Sequence, residues 1–182
     1  MFDINRGIRR ISTVVPRHEV LLTRLAESRH PVALWIGSSD SRVDPHLITG
    51  SQPGALIVAR LPDETVADDG QDKAAPSGVD AAIEYAVGVV GVRDIIVCGR
   101  ASASLDEVDE QQVLDRLEQV KRAPAVAHQL SNGGIGLHAW IHDRRIGRVR
   151  AHDGERFVDV LEVALPGPPR RRVRSHKARG GV

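Results

Sequence analysis

Residues 32–42 have the sequence VALWIGSSDSR, and this stretch decides which fold the sequence predicts. Its first half, Val32 to Ile36, is an unbroken apolar run, which is typical of a strand buried on both faces of a parallel sheet. The run ends in Gly37 and serines, so the strand is expected to open into a loop at its carboxyl end. Because function in α/β sheets is expected at that edge, the loop is the first candidate site.

Strand and helix patterns alternate on both sides of this stretch. Helices are predicted from 3.6-residue periodicity and strands from short apolar runs bounded by turn residues. Besides 32–36, the predicted strands cover 55–59, 92–99 and parts of 134–163, and the predicted helices cover 16–31, 77–90 and 104–122. This order predicts an α/β fold with a mainly parallel central sheet flanked by helices.

The composition excludes several classes of protein. Of the 182 residues, 41% are hydrophobic, which fits a soluble globular domain. The 25 basic and 24 acidic residues give a net charge of +1, so the chain as a whole does not have the charge of a nucleic-acid binder. One cysteine excludes an internal disulfide and a CxxC metal site. Since the sequence shows neither a membrane-spanning run nor a signal-peptide pattern, a cytoplasmic location is expected.

The last residues differ in composition from the rest. One domain is predicted over 1–165, followed by a tail at 166–182, PGPPRRRVRSHKARGGV, with six basic residues and no core-forming pattern. This composition predicts disorder. The tail's charge could hold a nucleic acid or another acidic partner, and a solubilising role is the alternative.

Three segments, in this order, resemble the β-class carbonic anhydrases: ALWIGSSDSRVDPHLITGSQPGALIVAR (33–60), SGVDAAIEYAVGVVGVRDIIVCGRASA (77–103) and GLHAWIHDRRIGRVR (136–150). The family's landmarks are a Cys-Ser-Asp-Ser-Arg strand end, a Pro-Gly strand closing in arginine, an IEYAV helix and a Cys-Gly-His-x-x-Cys loop. The resemblance implies the β-carbonic-anhydrase-like α/β fold and a dimeric building block.

The same resemblance places the family's zinc ligands, cysteine, histidine and cysteine, at Ser38, Arg100 and Ala103. Zinc in proteins is held by thiolates, imidazoles and carboxylates. A serine hydroxyl is a poor ligand, alanine offers none, and arginine is a permanent cation that cannot coordinate a metal. The departure from the family pattern therefore predicts a cleft without zinc, with no cofactor and no zinc-dependent hydration of carbon dioxide.

Asp40 and Arg42 match the family's ion-paired aspartate and arginine beside the metal. In the family the aspartate accepts a proton from bound water or ligates zinc. If catalysis remains in this chain, Asp40 would act as acid or base and Arg42 as an electrostatic stabiliser. The alternative is a structural salt bridge that ties the loop together.

Further arginines point to an anion. Arg100 puts a positive charge where the family has zinc, Arg29 has the spacing of a pocket glutamine of the family, and Arg60 matches the family's strand arginine. Guanidinium groups suit carboxylate or phosphate. The alternative is that Arg29 and Arg100 turn outward or pair with acidic residues of 63–69. The predicted ligand-binding residues are Ser38, Arg29, Arg60, Arg100 and Ser102.

Other candidate residues carry less chemistry. Cys98, inside an apolar strand, is predicted to be a small buried hydrophobe. His138 and His142 share a strand face at a spacing of four, but a metal pair would need a third ligand. They are therefore interpreted as exposed polar residues. A serine nucleophile is disfavoured, because no Gly-x-Ser-x-Gly elbow occurs in the sequence.

Two functions of different classes stay open at this point. The first is a metal-free lyase or hydrolase type of enzyme that reuses the cleft for a small anionic substrate. The second is a catalytically silent homologue that acts as a binding or structural partner through its dimer surface. Retention of Asp40 and Arg42 favours the first, and loss of all three ligands favours the second. A homodimer without membrane attachment is expected in both cases.

Overall fold

The computed structural model of the chain describes residues 23, 31–39, 41, 43–61, 78–100, 107–143 and 147–160. The predicted strands are present in this part, helices separate the first four strands along the chain, and two of the helices, at Pro45–Thr49 and Pro124–Ser131, were not predicted. The strands are β1 (Ala33–Ser38), β2 (Leu56–Leu61), β3 (Asp94–Arg100), β4 (Gly136–Asp143), β5 (Arg148–His152) and β6 (Phe157–Asp159). The helices are α1 (Pro45–Thr49), α2 (Gly78–Ile83), the π-helix π1 (Glu84–Val90), α3 (Glu107–Arg122) and α4 (Pro124–Ser131).

The described strands form one sheet in the order β2-β1-β3-β4-β5-β6. The first four strands in this order are parallel to one another, and β5 and β6 are added antiparallel. All six residues of β1 are buried, which explains why its sequence is continuously apolar rather than alternating. The predicted α/β class with a mainly parallel sheet is confirmed.

The main core lies between one face of the sheet and the helices. Leu34 and Ile36 of β1 are fully buried there, and π1 and α4 contribute Val87 and Val126. Each such aliphatic side chain contributes roughly 1.5–3 kcal/mol on full burial. This packing fixes the strand ends on which the candidate site is built.

The opposite face of the sheet carries a smaller cluster of Trp35, Ile96 and Cys98, packed against Ile48 of α1 and Trp140 of β4. The two tryptophan rings meet edge to face, with their centroids 6.0 Å apart. Ile48 anchors α1 on this face. The loop between β1 and α1 is therefore held at both ends by packed elements.

The helix predicted over 77–90 begins at Gly78 and changes to π-helical hydrogen bonding at Glu84. Its predicted stop at Gly91 is confirmed. Gly91 has φ 76°, in the left-handed region that glycine tolerates, and its N–H donates to the Ala86 carbonyl. The end of π1 thus turns directly into β3.

No helix in the described ranges combines the length and apolar character needed to cross a membrane. The predicted tail at 166–182 and almost all of the helix predicted over 16–31 lie outside those ranges, and Thr23 within that helix is helical. The domain boundary at 165 stays a prediction.

Candidate functional site

The candidate site lies at the carboxyl edge of the parallel strands. Gly37 of β1 is the register partner of Arg60 on one side and of Cys98 on the other. Ser38 and Arg100, the last residues of β1 and β3, therefore end neighbouring strands at the same edge. The loop after β1 begins there. The structure thus brings the ends of three strands together as the sequence predicts.

Ser38 is buried, with 5% of its surface exposed. Its main-chain carbonyl lies 3.4 Å from Nη1 of Arg60. The side chain that this position supplies is a neutral hydroxyl, which can donate one hydrogen bond and accept others. It suits an oxygen-rich partner better than a metal ion.

Arg60 carries a positive charge to this edge from β2. Its Nη1 donates to the Ser41 carbonyl at 2.6 Å, and its Nη2 donates to the Val43 carbonyl at 2.7 Å. The sequence predicted Arg60 as a ligand-binding residue. Within the described residues its hydrogen-bond partners are main-chain oxygens at the end of β1 and in the loop that follows.

Arg100 continues β3 to its last residue, where it is the register partner of His142 on β4. The residue before it, Gly99, allows α3 to approach closely. A Cβ at position 99 would lie 2.2 Å from Cγ2 of Val113, far inside van der Waals contact. Glycine is therefore required where β3 passes beneath α3, immediately before the site.

The histidines of β4 were interpreted wrongly from the sequence. His138 and His142 are half-buried rather than exposed. His138 Nε2 lies 2.9 Å from Oδ1 of Asp94, so its ring joins β4 to β3 at the amino edge of the sheet, away from the site. His142, opposite Arg100, is the site neighbour that sequence reasoning missed. The sequence pattern that could have indicated this is the alternation along β4, which puts His142 on the same face as Trp140.

A serine–histidine contact also escaped the sequence analysis. His46 Nδ1 lies 3.0 Å from Ser51 Oγ, and Thr49 Oγ1 lies 2.8 Å from the same hydroxyl. Ser51 N–H donates to the His46 carbonyl, and Gly50 has φ 64°. These contacts close the carboxyl end of α1, which is a structural role.

The remaining predicted site residues, Asp40, Arg42, Arg29 and Ser102, lie outside the described residues, as does Ala103. Their assignment stays a prediction. The same holds for the side chain of Arg100, whose main chain alone is described.

The described residues do not fit a zinc ion. Throughout the described ranges, no three His, Cys, Asp or Glu side chains form a group that could hold a metal. At the candidate edge β1 ends in a hydroxyl and β3 in an arginine. Burial raises the pKa of the nearby Cys98 thiol to about 12, so this sulfur is not a thiolate at neutral pH.

Comparison with known proteins gives one consistent result. The family model for carbonic anhydrases matches residues 33–103. A carbonic anhydrase of Pseudomonas aeruginosa is 32% identical, covering 89% of this chain and 93% of that protein. A carbonic anhydrase of Synechococcus elongatus is 27% identical, covering 92% and 78%.

Solved structures agree with this comparison. The β-carbonic anhydrase CcaA matches with a TM-score of 0.67 and 28% identity, covering 86% of this chain and 90% of that chain. A tetrameric β-carbonic anhydrase of Sordaria macrospora matches with a TM-score of 0.58 and 20% identity, covering 82% and 94%. The second likeness shows a shared fold.

Proposed function

This chain belongs to the β-carbonic anhydrase family, and from that premise we propose that it binds a small anion, a carboxylate or an inorganic oxyanion, in the family's cleft without zinc. The observation that carries the proposal is the pair of residues that end β1 and β3. A buried serine and an arginine occupy neighbouring strand ends, where the family pattern has a thiolate and an imidazole.

Elementary electrostatics distinguishes a zinc cation from an anion as the ligand at this position. Two unit charges of the same sign 4 Å apart repel by about 4 kcal/mol at an effective dielectric constant near 20, and a dication beside a guanidinium doubles that cost. An anion at the same position gains attraction instead, and a guanidinium can donate two parallel hydrogen bonds to it. The residues at this edge therefore favour an oxyanion.

In this proposal Arg100 is the main anion contact, and Ser38 adds a hydrogen bond. Arg42, Arg29 and Ser102 complete the cationic and polar lining. Asp40 is the internal counter-charge and the acid or base for any reaction that the site supports.

The first test concerns metal and activity. We expect protein produced with added zinc to contain less than stoichiometric metal after chelator dialysis, and to hydrate carbon dioxide no faster than buffer. Elemental analysis and stopped-flow pH measurements give the two results. Its relatives are named carbonic anhydrases, so one retained zinc per chain together with hydration would group this protein with them and overturn the proposal.

The second part of the test is calorimetry with phosphate, sulfate and acetate in a buffer free of other small anions. Replacing Arg100 by alanine should weaken binding by about 1.5–3 kcal/mol, or roughly 10- to 150-fold. Arg148→Ala is the matched control, because Arg148 pairs with Asp159 on β6. The affinity of this variant for the anions should equal that of the parent. Unchanged binding in Arg100→Ala would refute the site. A parent that binds none of the three anions would favour the silent homologue.

We further propose a homodimer or a higher even assembly. The support is the family's dimeric building block and the tetrameric relative from Sordaria macrospora. Light scattering at micromolar concentration should give an even multiple of 19.8 kDa. A stable monomer would contradict this proposal. The cytoplasmic location stays a prediction from the sequence.

A further inference from the structure

Arg60 lies one residue before the end of β2, the strand at the edge of the sheet, and its guanidinium reaches the loop after β1. Nη1 donates to the carbonyl oxygens of Ser38 and Ser41, at 3.4 and 2.6 Å, and Nη2 donates to that of Val43 at 2.7 Å. Three main-chain oxygens of one loop are thus held by a single side chain.

The positions of these oxygens along the chain are informative. The carbonyls of Ser38 and Ser41 lie on either side of residue 40, and those of Ser41 and Val43 lie on either side of residue 42. Arg60 therefore contacts the main chain at Ser38, Ser41 and Val43, the positions that flank residues 40 and 42 in the sequence. The position from which each side chain of the loop extends depends on this main-chain path.

Other contacts restrain the same loop at its two ends. Ser39 N–H donates to the Leu61 carbonyl at 2.6 Å, next to Arg60 on β2. At the far end, the Asp44 carboxylate accepts from His46 N–H at 2.7 Å and begins α1. Between these anchors the loop also makes contacts of its own: Ser41 N–H donates to the Ser38 carbonyl at 3.2 Å, and Val43 N–H donates to Ser41 Oγ at 3.4 Å. Arg60 adds the contacts that reach the loop from β2.

From this geometry we infer that Arg60 is a positioning residue of the proposed anion site: it holds the main chain at Ser38, Ser41 and Val43, the stretch whose sequence contains Asp40 and Arg42, and it does not itself bind the anion. The inference rests on the proposed function for the role of the site, but the restraint on the loop does not depend on it. An arginine suits the task, because its planar fork directs several N–H groups at fixed angles, whereas a lysine ammonium is a point charge on a flexible stem.

The restraint is tested by hydrogen exchange of the intact chain, followed in peptides that cover residues 38–44. Arg60→Met removes the donors and keeps the length of the side chain, and we expect exchange in this loop about tenfold faster than in the parent. Arg60→Lys should give an intermediate rate. Arg148→Met, which removes an exposed arginine of β5, should leave the loop unchanged. Parent-like exchange in Arg60→Met and Arg60→Lys would refute the restraint.

Sulfate calorimetry on the same variants separates positioning from direct binding and from a purely structural role. Positioning predicts that Arg60→Met, checked by thermal unfolding to be folded at the working temperature, loses about tenfold in sulfate affinity together with loop protection, and that Arg60→Lys restores part of both. Lost affinity with parent-like exchange would show direct contact and overturn the inference. Faster exchange with unchanged affinity would reduce Arg60 to a structural role and also overturn it.

These outcomes remain distinguishable from a failure of the proposed function. If the parent binds no sulfate, phosphate or acetate, the anion site is refuted by that result alone. The inference that Arg60 positions an anion site is then refuted with it, while the exchange rates still decide whether Arg60 restrains the loop. If Arg60→Met does not fold, the comparison of Arg60→Lys with the parent provides both measurements.

Discussion

Cys98 has its thiol on the side of β3 that packs against Trp35 and Ile96, two residues before the end of the strand. Burial raises its pKa to about 12, and a main-chain hydrogen bond from His142 opposes part of that rise. The thiol is therefore neutral at physiological pH. It acts as a small hydrophobe, as the sequence predicts, and it offers neither a nucleophile nor a metal ligand to the neighbouring site.

This pKa makes a prediction about stability. The thiol of the unfolded chain ionises near its ordinary pKa of about 9, whereas the folded thiol keeps its proton to about 12. The folded state binds the extra proton, so this contribution is complete below pH 9 and is lost as pH rises towards 12, by at most about 1.4 kcal/mol per pH unit. Urea unfolding of parent and Cys98→Ala at pH 8, 9.5 and 10.5 measures it. The difference in unfolding free energy should shrink with pH, and parallel curves would contradict the prediction.

The sequence predicts the position of some site residues in the fold, but it does not predict the contacts of others. The sequence placed Ser38 and Arg100 just beyond the ends of two buried strands, and the structure makes them the last residues of β1 and β3. The hydrogen-bond partners of the Arg60 guanidinium could not be predicted. Its carbonyl partners lie 22, 19 and 17 residues away in the chain, and only the pairing of β1 with β2 brings them within reach.

At the scale of elements, the parallel strands were predicted to within about two residues and two helices were missed. The missed α4 is only eight residues long, and its N-cap, Ala123, has no side-chain hydrogen bond. Instead, Oε1 of Glu84 accepts from Ala125 N–H at 3.3 Å, and the two residues are 41 positions apart. A carboxylate from π1 thus satisfies the start of α4, near the positive end of its dipole. No local pattern contains that contact.

Helix α3 shows the opposite case, since the residue at which it ends follows from local sequence. Its acidic start and basic end suit the helix dipole, and it ends at Arg122 as predicted. Gly99 then explains its distance from the sheet, because a side chain there would collide with Val113. Close packing of α3 on β3 therefore holds the end of the strand that carries Arg100.

For the whole molecule, fold and site chemistry are separable. The core that defines the fold consists of aliphatic side chains such as Leu34, Ile36 and Val97, and these are fully buried between the sheet and the helices. Ser38 and Arg100, which the resemblance places at ligand positions of the family, lie at strand ends and outside this aliphatic core. A chain 32% identical to a carbonic anhydrase over 89% of its length can therefore keep the architecture while its strand ends carry other side chains.

If the architecture is kept, restoring the ligands should restore metal binding. We predict that the triple variant Ser38→Cys, Arg100→His, Ala103→Cys retains one zinc per chain through chelator dialysis, because β1 and β3 are neighbours with fixed register and zinc accepts two thiolates and an imidazole. Elemental analysis measures the metal, and zinc should also raise the midpoint of thermal unfolding, since a ligand that binds only the folded state stabilises it. The double variant Ser38→Cys, Ala103→Cys is the control. It keeps the cation of Arg100 and should retain no zinc. A folded triple variant without zinc would refute the placement of the three ligand positions, whatever the anion measurements give.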